Sequence, residues 1–307
     1  DWLQSDPWLA VNESGMLFFA RLEVSLLPSG RRIVVSRSSD GGLTWEATVA
    51  VADSMGLDKE VLYSDGEGSL YAGYKRGPTL RVARSEDEGE SWSPPTVLPH
   101  TAEGPTGPVL ATGRDGSVFA AWWSRPDDNV WVAASCDHGG SWGRLQQVNP
   151  VAGSVTFVGM PAFPSIASGE DGEVWVAWQV FAGGDWDILI TLSHDAGVTW
   201  SAPIRVSDSA LGDQFMPTLA AGPDGSIHAA WYDSRTGNVN LVYARSTDGG
   251  ATWSTNMRVT TEETPFFHRR LGDYLGLAVG PGGEAFLAWT DRRTGEQNIY
   301  FARSSNF

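Results

Sequence analysis

Five times this chain writes the octet Ser-x-Asp-x-Gly-x-Thr/Ser-Trp: SSDGGLTW from Ser38, SEDEGESW from Ser85, SCDHGGSW from Ser135, SHDAGVTW from Ser193 and STDGGATW from Ser246. The octet tryptophans stand at 45, 92, 142, 200 and 253, so the steps are 47, 50, 58 and 53 residues. A period of that size means one supersecondary unit repeated, because such a unit buries its apolar face only against its neighbours. The unit at 216–260 shows what it is. "PTLAA" precedes the turn "GPDG", "SIHAAWYD" and "NVNLVYAR" alternate like half-buried strands around "SRTG", and the octet turns the chain into "TWSTNMRVT". Four short antiparallel strands with no helical pattern make a propeller blade.

Six units follow this plan, with turns NESG, GEGS, GRDG, GEDG, GPDG and GPGG, but only five octets. The sixth unit stops at Phe307 after Ser304-Ser305-Asn306, the opening of an octet with Asn in place of Asp. The expectation is an all-β, six-bladed β-propeller of four-stranded antiparallel blades. The N-terminal DWLQS supplies the outer strand of the last blade, with Trp2 in the place of the octet tryptophan, and so closes the ring. The blades fall at approximately 6–54, 55–101, 102–150, 151–208, 209–262, and 263–307 plus 1–5, forming a single domain over 1–307.

In the octet, Ser and Asp hydrogen-bond their own turn, Gly supplies a permissive φ and Trp packs between sheets. The acidic turns lack the Asp-x-Asp-x-Asp-Gly…Glu spacing of a calcium loop, so they read as structure, with no metal or cofactor expected. Cys136 is the only cysteine, which rules out an intrachain disulfide and leaves the redox compartment open. The formal charge of −16 repels polyanions and argues against nucleic acid. No apolar run approaches the roughly 18 residues of a membrane helix, and the first residues lack a signal peptide's pattern. A monomer is expected.

Aligning the units on Gly15, Gly68, Gly116, Gly172, Gly225 and Gly283 exposes a ring of variable positions. Eight residues earlier stand Pro7, Glu60, Pro108, Pro164, Pro217 and Leu275; one step further back stand Asp6, Lys59, Gly107, Phe163, Met216 and Tyr274. Asp6, Lys59 and Tyr274, with Asp58 and Asp273 adjacent, make half of this mouth polar, and Gly, Phe and Met make the other half apolar. That mixture suits an amphiphilic ligand such as a sugar. Six residues after the glycines come Arg21, Tyr74, Trp122, Trp178, Trp231 and Trp289, most simply interblade packing. Two further on, Glu23, Asp233 and Asp291 share the same sheet face. Asp233 with Arg235, and Asp291 with Arg293, read either as loop salt bridges or as a charged rim that grips a ligand. The loop TEETPFFHRRLGDY brings Arg269 and Arg270 close to Tyr274; it either clamps an anionic group or is anchored by its own phenylalanines.

The octets look like Asp-boxes, and the whole chain resembles the Asp-box (BNR-repeat) β-propellers that include the sialidases. That resemblance implies boxes joining third to fourth strands on the face opposite the active site, a carbohydrate ligand, and an extracellular or periplasmic location. Family sialidases carry three arginines for the substrate carboxylate, a tyrosine nucleophile paired with a glutamate, and an aspartate acid. Tyr274 stands where such a tyrosine could sit. Elsewhere the chain departs: Ser5-Asp6-Pro7 replaces Arg-Ile-Pro, and EVSLLPSG offers no acid. The expected function is a glycan-recognising propeller that binds, or also hydrolyses, a glycan at the axial mouth. Asp6 and Asp273 are the acid/base candidates, Tyr274 a platform or nucleophile, and Arg21, Lys59, Arg269 and Arg270 anion contacts. The alternative is a non-catalytic lectin-like binder or protein-interaction scaffold.

Overall fold

A computed structural model describes residues 2–26, 29–100, 104–113, 115–125, 128–150, 163–265 and 271–306. The first sheet holds β1 (Trp2–Val11), β2 (Leu17–Leu26), β3 (Ser29–Ser38) and β4 (Val49–Asp53). The second holds β5 (Leu57–Ser64), β6 (Leu70–Arg76), β7 (Thr79–Ser85) and β8 (Thr96–Val97). The third holds β9 (Pro105–Thr112), β10 (Val118–Ser124), β11 (Asn129–Ser135) and β12 (Gly143–Gln147). The fourth comprises β13 (Ser165–Ser168), β14 (Val174–Ala182), β15 (Asp185–Ser193) and β16 (Ile204–Arg205). In the fifth are β17 (Gln214–Ala221), β18 (Ile227–Asp233), β19 (Asn240–Ser246) and β20 (Met257–Arg258). The sixth has β21 (Gly276–Val279), β22 (Ala285–Asp291) and β23 (Asn298–Arg303). Each sheet keeps chain order, as successive hairpins require, and the fold is a six-bladed, all-β propeller. No helix among the described residues is long and apolar enough to cross a membrane.

The chain divides into two compact units, 1–126 with 131–146 and 127–130 with 147–307. Blades one to three fall almost wholly in the first, blades four to six in the second.

One expectation needs correcting. Trp2–Ser5 do not complete the last blade; they extend β1 and pair with Leu22–Ser25 of β2, leaving the sixth sheet three-stranded among the described residues. The reason is local. β2 is long enough to offer these residues a ladder across a short turn, and a short loop is the least costly to close. Trp2 also finds a partner there, with the Arg32 guanidinium 4.3 Å from its ring centroid.

Every octet joins a third strand to a fourth, and all five close identically. The serine hydroxyl donates to the aspartate at 2.7–2.8 Å and accepts the glycine amide at 2.8–2.9 Å. The aspartate accepts the amide of the Thr/Ser at 2.8–2.9 Å and its hydroxyl at 2.5–2.6 Å. The glycine is required because its φ runs from +77° to +95°. These bonds, the Thr/Ser hydroxyl above all, hold each octet aspartate down at about 2.

Octets also stitch neighbouring blades. Trp142 Nε1 donates to Thr96 Oγ1 at 2.9 Å, and Thr96 Oγ1 donates to the Gly139 carbonyl at 3.0 Å. Trp175 Nε1 donates to the Gly249 carbonyl at 2.8 Å, and a Cβ on Gly250 would lie 3.2 Å from that same indole nitrogen. Between the sheets lie the aromatics expected there: Tyr74, Trp122, Trp178, Trp231 and Trp289 are all buried.

Replacing Ser246 by Ala strands the Gly250 amide and should cost about 1–3 kcal/mol, read as a lower midpoint in urea. Cys136→Ser, at an exposed octet position, should not move it. Because the octet aspartates are depressed in the folded state, their contribution is complete above pH about 4 and is lost as the pH falls towards about 2. Acid titration by circular dichroism should therefore show unfolding in that interval, and an undiminished acid loss in variants whose octets carry Asn would contradict this.

Candidate functional site

In each blade the first strand begins, and the second ends, at the end opposite the octet. In four blades the first strand is interrupted there by a β-bulge. The register slips between Ser5 and Trp8, between Asp58 and Val61, opposite Ala121–Trp123 and between Phe215 and Thr218. The residue at each slip is left-handed: Asp6 (φ +50°), Lys59 (+56°), Gly107 (+61°) and Met216 (+54°). These are the variable ring positions read from the sequence. For a residue other than glycine this conformation costs about 1–3 kcal/mol, and bulges that persist at that cost re-aim side chains.

In the first unit the bulges gather charge around one buried carboxyl. Glu60, directly after the second bulge, is fully enclosed, and neither carboxyl oxygen has a hydrogen-bond partner among the described residues. Burial pushes its pKa up to about 8; nearby backbone amides oppose the rise, and the charges of Asp6 and Asp58 add to it. Lys75, cross-strand from Asp58, is pulled down by burial; Asp58 opposes this, while Arg125 and Lys59 reinforce it. Asp6, Asp58, Lys59, Lys75 and Arg125 thus lie within electrostatic reach of one another or of Glu60. Among the described residues no group of three or more His, Cys, Asp or Glu could hold a metal ion.

The other predicted residues are differently placed. Glu23 is buried between Arg21, at 3.0 Å, and Arg32, at 2.6 Å. In the second unit Asp233 is fully buried and gripped by Arg235 through Nε at 2.9 Å and Nη2 at 2.7 Å, while Arg235 also reaches Asp208 at 2.7 Å. Asp291 repeats the arrangement with Arg293, and adds bonds from the Thr264 hydroxyl and Trp289 Nε1. Both pairs form salt bridges within Asp-x-Arg, and each is tied to residues outside that segment as well. Asp273 and Tyr274 are half-buried, and Tyr274 stacks on Phe163 with centroids 6.4 Å apart. Arg269 and Arg270 lie outside the described residues.

Sequence reasoning missed Glu60, Lys75 and Arg125. For Glu60 a signal existed: it is the one acid at a position where four other blades carry proline. Proline there needs no explanation beyond starting a strand, and an acid does.

Comparison with solved structures identifies the architecture. A Hadza microbial sialidase superposes with TM-score 0.58 at 20% identity, covering 97% of this chain and 64% of its own, so the chain spans under two thirds of that enzyme. An α-L-arabinanase of Penicillium chrysogenum, solved with arabinobiose, gives 0.61 at 15% identity, covering 99% and 94%. The leech intramolecular trans-sialidase gives 0.63 at 15%, covering 98% and 68%. The chain has the sialidase-like propeller fold. At these identities the likeness establishes the fold alone. No family model and no curated protein matches the chain.

Glu60 gives this propeller a testable signature. Its folded pKa of about 8 lies above that of an unfolded glutamate, so between pH about 4.5 and 8 the folded state holds a proton that the unfolded state has lost. Stability should therefore fall as pH rises through that interval, by about 1.4 kcal/mol per unit from this group. Glu60→Gln should remove that slope in denaturant titrations; an unchanged slope would mean that Glu60 is charged.

Proposed function

We propose that this chain is a glycan-recognising propeller whose polar bulge cluster in the first unit binds a sugar and hydrolyses its glycosidic bond. The observation that carries this is Glu60, a buried carboxyl kept neutral beside Asp6 and Asp58. Glycoside hydrolysis needs carboxyls in different protonation states within one site, and such pairs are made by environments that push their pKa values apart. Asp6, on its left-handed bulge, is the acid/base group that meets the glycan. Glu60 lies enclosed behind and acts as a positioning residue: while neutral, it adds no negative charge beside Asp6 and Asp58. Lys59 and Arg125 supply hydrogen-bond donors to hydroxyl or acidic groups of the sugar. A carbohydrate ligand, secretion and a monomeric state belong to the same reading, and the solved glycoside hydrolases of this fold support it.

The second reading is a non-catalytic binder or scaffold. It is favoured by the carboxylates of Glu23, Asp233 and Asp291, which spend their hydrogen bonds on arginines of this same chain.

A panel of aryl glycosides that includes a sialoside separates the two. Asp6→Ala should lower kcat/KM by about 10²–10⁴-fold, the usual weight of an acid/base group. Tyr274→Phe tests whether the second unit contributes a nucleophile. For Glu60→Gln turnover should persist, with the alkaline fall of wild-type activity near pH 8 moved upward. Absence of turnover on every glycoside would leave the binding reading standing.

A further inference from the structure

The β14–β15 hairpin of blade four ends unlike the corresponding hairpins of blades five and six. There the tips carry Asp233-Ser-Arg235 and Asp291-Arg-Arg293, polar and closed on themselves. Blade four carries Phe181 and Trp186 directly opposite each other, next to the Gly183-Gly184 turn. Their rings meet at 5.4 Å and 55°, and Phe181 remains 46% exposed. Both turn glycines have positive φ, +70° and +111°, so the turn itself sets the hairpin register. A cross-strand aromatic pair would add to that, but an apolar face left half in water at the end of a blade opposite its octet needs another explanation.

Beside the pair stand two acids. Asp213 Oδ1 accepts the Trp186 amide at a long 3.3 Å, and Asp185 lies close enough for its charge to act on Asp213. Among the described residues no cation pairs with Asp213, whereas the neighbouring Asp187 is held by Arg205 at 2.6 Å. The spot therefore combines an apolar aromatic face with hydrogen-bond acceptors of negative charge.

We infer that Phe181 and Trp186, flanked by Asp185 and Asp213, form a stacking platform for a neutral sugar ring of a glycan. A sugar presents C–H groups on one face and hydroxyl donors at its edge, which suits an aromatic surface rimmed by carboxylates. An anionic sugar meets like charge there and is disfavoured. The inference rests on the glycan reading above and sharpens it, because it assigns the substrate class as uncharged at this position.

The test is a printed array of neutral and sialylated oligosaccharides, followed by titration calorimetry with the strongest binder. Wild-type protein should prefer neutral glycans. Phe181→Leu with Trp186→Leu keeps an apolar cross-strand pair but removes the aromatic face, and should weaken binding at least tenfold with an unchanged thermal midpoint. Trp186→Phe should restore most of it. A preference for sialylated glycans, or equal binding by the double leucine variant, overturns the platform while leaving the glycan reading intact. If no glycan binds but aryl glycosides turn over, only the platform falls; if neither occurs, both do.

Discussion

The rest of this fold depends on one carboxylate placed in a turn. Each octet aspartate accepts an amide and a hydroxyl from the same Thr/Ser and a second hydroxyl from its own serine. The serine in turn accepts the glycine amide, so a tight reversal between third and fourth strands leaves these donors satisfied. Fourth strands here are short, two residues each in β8, β16 and β20, and could not hold their place by ladder bonds alone. The octet holds them. Its carbonyls and glycines also accept the indoles and close contacts of the next sheet, as Trp175 does at Gly249 and Gly250.

With the octet end given over to structure, the opposite end is where the blades differ. There the first strands carry left-handed bulges, and at three of the four the residue is not glycine. In the fourth and sixth blades the ladder between first and second strands begins only after this position, at Ser165 and Gly276. The cost is borne where the side chains are Asp6, Lys59 and Met216, and the first two lie in the charged cluster around Glu60. Strain and unpaired burial coinciding at one place is the usual mark of a site shaped for something other than stability.

Much of this was legible in the chain. The octets, the four-strand period and the aromatic ring come from short-range chemistry, which one sequence states directly. The Asp-x-Arg spacing of Asp233 with Arg235 and of Asp291 with Arg293 showed that each pair could meet, and left open whether they were salt bridges or a ligand-gripping rim. What was not legible depended on partners far away in sequence. Trp2 could match an octet tryptophan by type, yet its pairing was decided by the length of β2 and the position of Arg32. Glu60 looked like a missing proline; only packing shows that its carboxyl is enclosed without a hydrogen-bond partner among the described residues. Lys75 and Arg125 belong to different blades and meet through the fold.

Glu60 also bears on the choice between enzyme and scaffold. A scaffold under selection for stability alone would lose an enclosed, unpartnered carboxyl, because proline or leucine at the same position in other blades removes the desolvation cost. Retaining an acid there is unfavourable at neutral pH through the same proton linkage that raises its pKa. The paired acids Glu23, Asp233 and Asp291 show that this chain can neutralise a buried carboxylate with an arginine. At Glu60 it does not, although Lys59, Lys75 and Arg125 lie within reach of the same cluster. An enclosed carboxyl with no hydrogen-bond partner among the described residues, kept beside Asp6 and Asp58, is easier to account for by its effect on that charged cluster than by any contribution to folding.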